Sequence, residues 1–377
     1  MKFINVGIIG TGFIGELHIE SLRRLGNVNV LALAELNEEI AKYKSNTLFI
    51  PKYYSNFREL ILDDDIEVIH IATPNYLHYS QTEFAIKANK HVICEKPLGL
   101  DSNETRKLVE LAKESKKVNA VMFNFRFFPL VKVMHNMIKT GELGKLYSIV
   151  GSFLQDWMLY PTDYNWRANS KLGGKTQVIA TIGSHFLDLV QYITDMKIES
   201  VFADFETVHK MRVEKINNKV HKEKFIKVES EDISNILLRL SDNTPGSVTF
   251  SHTCAGKRLE LKIGIYGERC SLEWNSEKPN ELWIGKRDEP NKIMVKDPSL
   301  VKQELRAFYG LPGGHVEGYA DSFKQNIKSI YKKIMENNFT KESEDFATFE
   351  DGNDVQLIID TLFKSAKSKK WLRVCRY

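Results

Sequence analysis

The sequence predicts an α/β protein of two domains: a parallel sheet with helices on both faces, then an α+β domain on an open, mostly antiparallel sheet. Three observations predict it. The chain has 377 residues, long for one core, and its 42% hydrophobic residues can fill two. Up to about residue 123, short Val- and Ile-rich runs alternate with segments of helical spacing. After Asn124, strand-like runs follow one another without intervening helices. The expected domains are 1–123 and 124–377.

The first run, Phe3–Ile9, leads into Gly10-Thr11-Gly12-Phe13-Ile14-Gly15. This is G-x-G-x-x-G, a turn that brings backbone amides at a helix N-terminus up to a pyrophosphate. Gly10 allows the tight turn, Gly12 removes a side chain the phosphate would strike, and Gly15 lets helix and strand pack closely. A helix is expected from Phe13 to about Leu25, closed by Gly26. The second run, Val28–Ala34, ends in Glu35, about 20 residues past the last glycine, where a carboxylate binds both adenosine ribose hydroxyls. Strand, turn, helix and acid together read as a Rossmann-like dinucleotide-binding domain. No cation follows at Leu36 or Asn37 to meet a 2′-phosphate, so the expected cofactor is NAD rather than NADP.

The remaining strands of this domain are read at Val68–Ala72, His91–Cys94 and Val118–Phe123, with helices near Tyr79–Ala88 and Asn103–Ser115. In the second domain, helix Leu130–Lys139 precedes strand Leu146–Leu154, a Trp- and Tyr-rich loop and helix Ile182–Ile193. Strand-like runs follow at Ser200–His209, Phe225–Glu229, Asp232–Leu240, Gly246–Thr253, Leu259–Tyr266 and Cys270–Trp274. Amphipathic helices close the chain near Val316–Glu336 and Asp351–Lys367.

Bulk properties exclude several classes. A net charge of +4 leaves no nucleic-acid footprint. The Lys-rich stretch Lys210–Lys227 is broken by Val213, Ile216, Val220 and Phe225, and reads as a solvated strand pair or edge. Cys94, Cys254, Cys270 and Cys375 have neither metal-ligand nor disulfide spacing, so no metal is expected and a reducing cytoplasm fits. Neither a secretory leader nor an apolar membrane span is visible, so no membrane partner is expected.

The chemistry gathers at strand ends. Val68–Ala72 runs into Thr73-Pro74-Asn75, with His78 three residues on, and His91–Cys94 runs into Glu95-Lys96-Pro97. Both fall at the carboxyl edge of the sheet, where such folds bind ligands. Pro97 restricts Lys96, so the amine is aimed, and a partly desolvated lysine can exchange a proton with an alcohol. Later, Thr181 and His185 stand four apart at a helix start and can face one cleft. In the loop Trp157–Arg167, aromatic faces suit the C–H surface of a sugar, while Arg and Asp suit its hydroxyls.

These residues resemble the Gfo/Idh/MocA oxidoreductases, the family of glucose–fructose oxidoreductase and inositol dehydrogenase. The matching segments are the glycine turn, Ala72-Thr73-Pro74-Asn75 with His78, Glu95-Lys96-Pro97, Asn124-Phe125-Arg126-Phe127 with Pro129, and Gly183-Ser184-His185 with Asp188. Gln155-Asp156-Trp157, Tyr160–Arg167, Glu277-Lys278-Pro279-Asn280 and Pro312-Gly313-Gly314-His315 are similar to a branch containing NAD-dependent sugar and anhydrosugar dehydrogenases. The resemblance runs nearly end to end. It implies Lys96 and His185 as acid–base groups and often a cis bond before Pro97. It implies NAD held by Gly10, Gly12, Phe13, Ile14, Gly15, Glu35, Thr73, Asn75, His78 and Glu95. It also implies a carbohydrate substrate met by Arg126, Trp166, Arg167, Thr181 and His315, and a homodimer or homotetramer formed through the C-terminal sheet.

Two positions depart from the family pattern. Thr181 stands where relatives commonly carry Asp, and Asp195 where they often have Gly. The second reads as structural. The first leaves three readings open: Lys96 and His185 suffice, the substrate is unusual, or catalysis is lost. Beside an NAD-dependent dehydrogenase of a sugar or cyclitol ring hydroxyl, the alternatives are a redox glycosidase using NAD and a non-catalytic sugar or dinucleotide sensor.

Overall fold

The computed structural model describes residues 3–215, 223–336 and 345–376. It divides into two units, Met1–Phe127 with Gly318–Gln356, and Phe128–Glu317 with Leu357–Tyr377.

In the first unit seven strands lie in the order Ala347–Thr348, Asn119–Val121, His91–Cys94, Val68–Ile71, Ile4–Ile9, Val28–Ala34, Lys52–Tyr54. All pairs are parallel except the first, where Ala347 and Thr348 run antiparallel to Val121 and Ala120. The central runs are apolar throughout because both faces are covered; Val6, Ile8, Val68, Ile69, Val92 and Ile93 are fully buried. Helices Glu38–Leu48, Phe57–Leu62 and Ser102–Glu114 begin on Asn37, Asn56 and Asp101, whose side chains accept first-turn N–H groups. Helices Phe13–Arg23 and Asn75–Lys87 begin on Gly12 and Pro74 with no side-chain cap. These are the two helices that follow the glycine turn and the Thr73 turn, so no side chain of the cap residue covers either N-terminus.

Gly318–Gln356 was expected with the C-terminal domain but belongs to the first unit. Its helix Tyr319–Glu336 buries Phe323, Ile327, Ile330 and Tyr331 there, and Asp321 pairs with Arg24 at 3.0 Å. The edge strand Ala347–Thr348 ties the segment to the sheet.

In the second unit nine strands lie in the order Lys292–Val295, Glu281–Gly285, Ser271–Asn275, Glu260–Gly267, Leu146–Leu154, Pro245–Ser251, Ile233–Leu240, Ile198–Glu206, Leu372–Arg373. One pair, Leu146–Leu154 with Pro245–Ser251, is parallel; the rest are antiparallel. The helix Ser184–Thr194 packs on this sheet at Gly151, where a Cβ would lie 2.3 Å from the Phe186 ring. Register places Leu237, Ser247, Val150, Gly264, Glu273, Trp283 and Ile293 in one row across seven strands. Leu237, Val150 and Ile293 of that row are exposed, so this face is open.

The Lys-rich stretch forms a strand pair, Met211–Lys215 with Glu223–Lys227; Ile216 and Val220 lie outside the described residues. Its inner residue Arg212 is fully buried, which a solvated edge would not require.

Candidate active site

The glycine turn takes the geometry its residues permit. Gly10 has φ +85, and a Cβ there would press on Ala72 O and Thr73 Cγ2, each at 3.0 Å. A Cβ at Gly15 would stand 2.0 Å from Gly10 O. At Gly12 an added Cβ meets nothing within 4 Å, so the space beside the uncapped helix is open for a pyrophosphate. Glu35 is docked on this turn: its Oε1 accepts Thr11 N–H and, at 2.7 Å, Thr11 Oγ1–H, while Oε2 accepts Leu36 N–H at 3.2 Å. Gly15 is buried, Ile14 half-buried and Phe13 exposed. The residues present fit a bound dinucleotide.

Asn75 and Glu95 are buried, Thr73 and Lys96 half-buried. Thr73 Oγ1–H donates to Gln81 Oε1 at 2.6 Å. The Lys96–Pro97 bond is cis. His78 is buried, with Nδ1 2.7 Å from Pro97 O and Nε2 2.8 Å from Thr73 O. Burial lowers its pKa, against these two carbonyls, which favour the charged ring. Through these carbonyls His78 joins the two turns to one another. Arg126 is buried, with its guanidinium 3.5 Å from Asp351.

In the second unit, Trp166 and Arg167 lie on a 3₁₀ turn, Trp166–Ala168, capped by Asn165. The Arg167 guanidinium stacks on the Trp166 ring at 4.4 Å. Trp157 and Tyr164 pack against Met158, Ala168 and Val228, so these two aromatics support the loop. The stretch Ile179–Gly183 is a π-helical turn running into helix Ser184–Thr194. The turn carries Thr181, half-buried, and the helix carries His185, buried. Single π turns recur at functional sites, and nothing in the apolar spacing announces this one. Asp195 ends the helix at φ 54, a left-handed cap that suits the family's glycine. His315 is exposed on a loop that a buried ion pair holds. Lys296 Nζ lies 2.9 Å from Glu317 Oε1 and donates to the carbonyls of Leu311, Pro312 and His315, while Glu317 accepts Gly310 and Leu311 N–H.

Sequence reasoning missed the residues that hold these pieces: His18 and His70, Arg212 with Asp232, Glu231, and Lys296 with Glu317. What marks them is the burial of polar side chains, which spacing does not display. A groove of about 400 Å³ lined by Val150, Lys262, Tyr266, Trp283 and Ile293 contains none of the expected site residues. Among the described residues no group of three His, Cys, Asp or Glu is gathered for a metal ion.

The glycine turn, the docked acid and the uncapped helices define a dinucleotide-dependent oxidoreductase. Residues 4–124 match an oxidoreductase family with an NAD-binding Rossmann fold, and residues 131–273 match the GFO/IDH/MocA C-terminal domain. The chain belongs to the Gfo/Idh/MocA oxidoreductases, and NAD is its cofactor. It is 26% identical to levoglucosan dehydrogenase of Pseudarthrobacter phenanthrenivorans, over 99% of each chain. It is 28% identical to myo-inositol 2-dehydrogenase of Thermotoga maritima over 88% of each chain. Levoglucosan dehydrogenase solved with NADH and levoglucosan superposes with a TM-score of 0.90 at 26% identity, covering 100% of both chains.

Proposed function

We propose that this enzyme oxidises a ring hydroxyl of a sugar, glycoside or cyclitol, or reduces the matching ketone. The observation that carries the reading is the end-to-end similarity to an enzyme solved with NADH and levoglucosan. NAD, when bound, supplies the hydride acceptor. Lys96 takes the hydroxyl proton in the oxidising direction and returns it in the reducing one. His185 orients the substrate hydroxyl and shares the acid–base work. Trp166 and Arg167, already stacked, offer the sugar an apolar face and a cation. Thr181 donates or accepts a hydrogen bond where relatives place a carboxylate, so the substrate groups it meets differ in charge preference.

The open row Leu237, Val150, Ile293 suits a second copy of the chain, and we assign it to a homo-oligomer. Four free cysteines fit a reducing cytoplasm, and no described helix is long and apolar enough to cross a membrane.

The test is NADH absorbance across a panel of sugars, anhydrosugars and cyclitols, with product chromatography alongside. Net NADH with a keto product supports the dehydrogenase. Glycoside cleavage without net NADH replaces it by a redox glycosidase, and sugar binding without either replaces it by a sensor. Light scattering during gel filtration reads the oligomer, and a monomer at micromolar concentration overturns that assignment.

A further inference from the structure

Three consecutive polar residues, Ser230, Glu231 and Asp232, are buried at 2%, 2% and 0% exposure. Such residues stay inside only when bonded. Asp232 Oδ1 pairs with Arg212 Nη2 at 2.7 Å, and Arg212 donates to the carbonyls of Met158, Tyr160 and Asp163. Ser230 Oγ–H donates to Gln177 Oε1 at 3.0 Å. Glu231 does something different. Its carboxylate accepts Gln177 N–H at 3.0 Å and Ile179 N–H at 3.1 Å, at the start of the π turn.

A helix start leaves its first N–H groups without partners, and a local Ser, Thr, Asp or Asn normally takes them. Here Val178 is already helical at φ −66 and ψ −40, and neither it nor Gln177, whose carbonyl accepts the first helical bond, is such a residue. The acceptor arrives from more than fifty residues along the chain, immediately before strand Ile233–Leu240. A local cap holds a helix end only to itself. A remote carboxylate fixes that end against the sheet, and with it every side chain of the next turn. Thr181 is bonded into the same turn through its N–H to Gln177 O at 2.9 Å, and His185 follows one turn later.

We propose that Glu231 is a positioning residue: through Gln177 and Ile179 it sets the π turn, and thereby the placement of Thr181 and His185 toward the substrate. The arrangement is costly by itself. Burial, with Asp232 beside it, pushes the Glu231 carboxyl up to about 7, against the amides that favour its charge. A neutral cap would serve helix stability at lower cost, so the gain lies in geometry.

The inference rests on the proposed role of His185, and the test separates the two. In Glu231→Gln one amide oxygen replaces two acceptors and an NH₂ faces the helix amides. We expect turnover to fall at least about tenfold, NAD affinity to change less than twofold, and the His185 ring carbon resonance of ¹³C-histidine-labelled enzyme to move. In a His185→Ala background the Glu231→Gln effect on turnover should vanish, since the residue acts through that side chain. Glu231→Asp, which keeps the charge, should recover part of the loss, and it supplies the same readouts if Glu231→Gln does not fold. Additive effects of the two substitutions, or an unmoved His185 resonance, overturn the proposal. A moved resonance in an enzyme without turnover on any alcohol or ketone supports the positioning and overturns the catalytic reading instead.

Discussion

Nδ1 of His18 lies 2.8 Å from Nδ1 of His70, inside the NAD-binding unit and out of reach of solvent. Two facing ring nitrogens at that distance share one proton, so one ring donates and the other accepts. The pair is the middle of a chain. His70 Nε2 meets the Tyr331 hydroxyl at 2.9 Å, and His18 Nε2 meets Glu95 Oε1 at 3.1 Å. The other Glu95 oxygen accepts Lys96 N–H at 3.2 Å. Burial, then the neighbouring His18, hold the His70 pKa well below its ordinary value, so His70 stays neutral. The chain reaches from the returning helix Tyr319–Glu336 to the backbone of the proposed catalytic lysine.

His70→Phe fills the space but strands His18 Nδ1 and the Tyr331 hydroxyl. Each orphaned polar group costs about 1–3 kcal/mol. Urea unfolding should show a loss of about 2–4 kcal/mol. Tyr331→Phe orphans His70 Nε2 alone and should cost about 1–3 kcal/mol, less than His70→Phe. A His70→Phe protein as stable as the wild type would mean that the chain holds nothing in place.

Acid should weaken the fold through the buried histidines. His91 Nδ1 accepts Val118 N–H at 2.9 Å, and burial, with Lys117 nearby, lowers its pKa to about 4 from 6.5. Below pH 6.5 the unfolded chain binds a proton that the folded chain refuses. The contribution is therefore complete above pH 6.5 and is lost as pH falls toward 4, and His70 acts in the same direction. Between pH 7.5 and 5 His91 alone should cost about 2 kcal/mol. His91→Gln keeps an acceptor without the titration, so its stability should fall correspondingly less over that interval.

The three glycines of the turn should fail in different ways. Gly12→Ala meets no protein atom within 4 Å, so the fold should keep its melting temperature. Its methyl enters the space read as the pyrophosphate site, and NAD affinity should drop at least about tenfold, ~1.4 kcal/mol. Gly15→Ala drives a Cβ to 2.0 Å from Gly10 O and should cost more than about 2 kcal/mol of stability before any ligand is added. Calorimetric NAD titration beside thermal unfolding separates the two outcomes.

What was legible in the sequence follows from how local each cause is. The glycine turn, Glu35 and the Glu95-Lys96-Pro97 step are short segments whose residue types carry their own geometry. The parallel pairing of Leu146–Leu154 with Pro245–Ser251 depends on partners about a hundred residues apart and leaves no mark on either run. The return of Tyr319–Glu336 to the first unit is equally silent, because its apolar stripe fits any apolar surface. At His78 and Arg126 residue type displays neither the burial nor the partners, which come from Thr73, Pro97 and Asp351 in other segments. Arg212 was hidden in a stretch whose lysines made it read as solvated.

Cofactor choice should follow Glu35. Its carboxylate is held on the turn by Thr11 and Leu36, so a 2′-phosphate would meet a fixed negative charge. NAD should bind at least about tenfold more tightly than NADP, a difference of ~1.4 kcal/mol. Glu35→Ser with Leu36→Arg should move the preference toward NADP. Equal affinities in the wild type would remove Glu35 from the discrimination.

Lys96 gives the most direct test of the proposed chemistry, because charge and proton transfer can be separated there. Lys96→Met keeps the length and removes both. Lys96→Arg keeps the charge, but a guanidinium does not give up its proton in a protein. If the lysine serves only as a cation beside the substrate, Lys96→Arg should retain much of the turnover that Lys96→Met loses. If it carries the hydroxyl proton, both should fall together by about 10²–10⁴-fold. NAD affinity should change little in either, since Gly10, Gly12, Gly15 and Glu35 are untouched. Single-turnover measurement of NADH formation on the best substrate of the panel reads the chemical step directly. Near-wild-type rates in Lys96→Met would exclude this lysine from the reaction, and the same result in His185→Ala would leave the acid–base assignment with no residue to carry it.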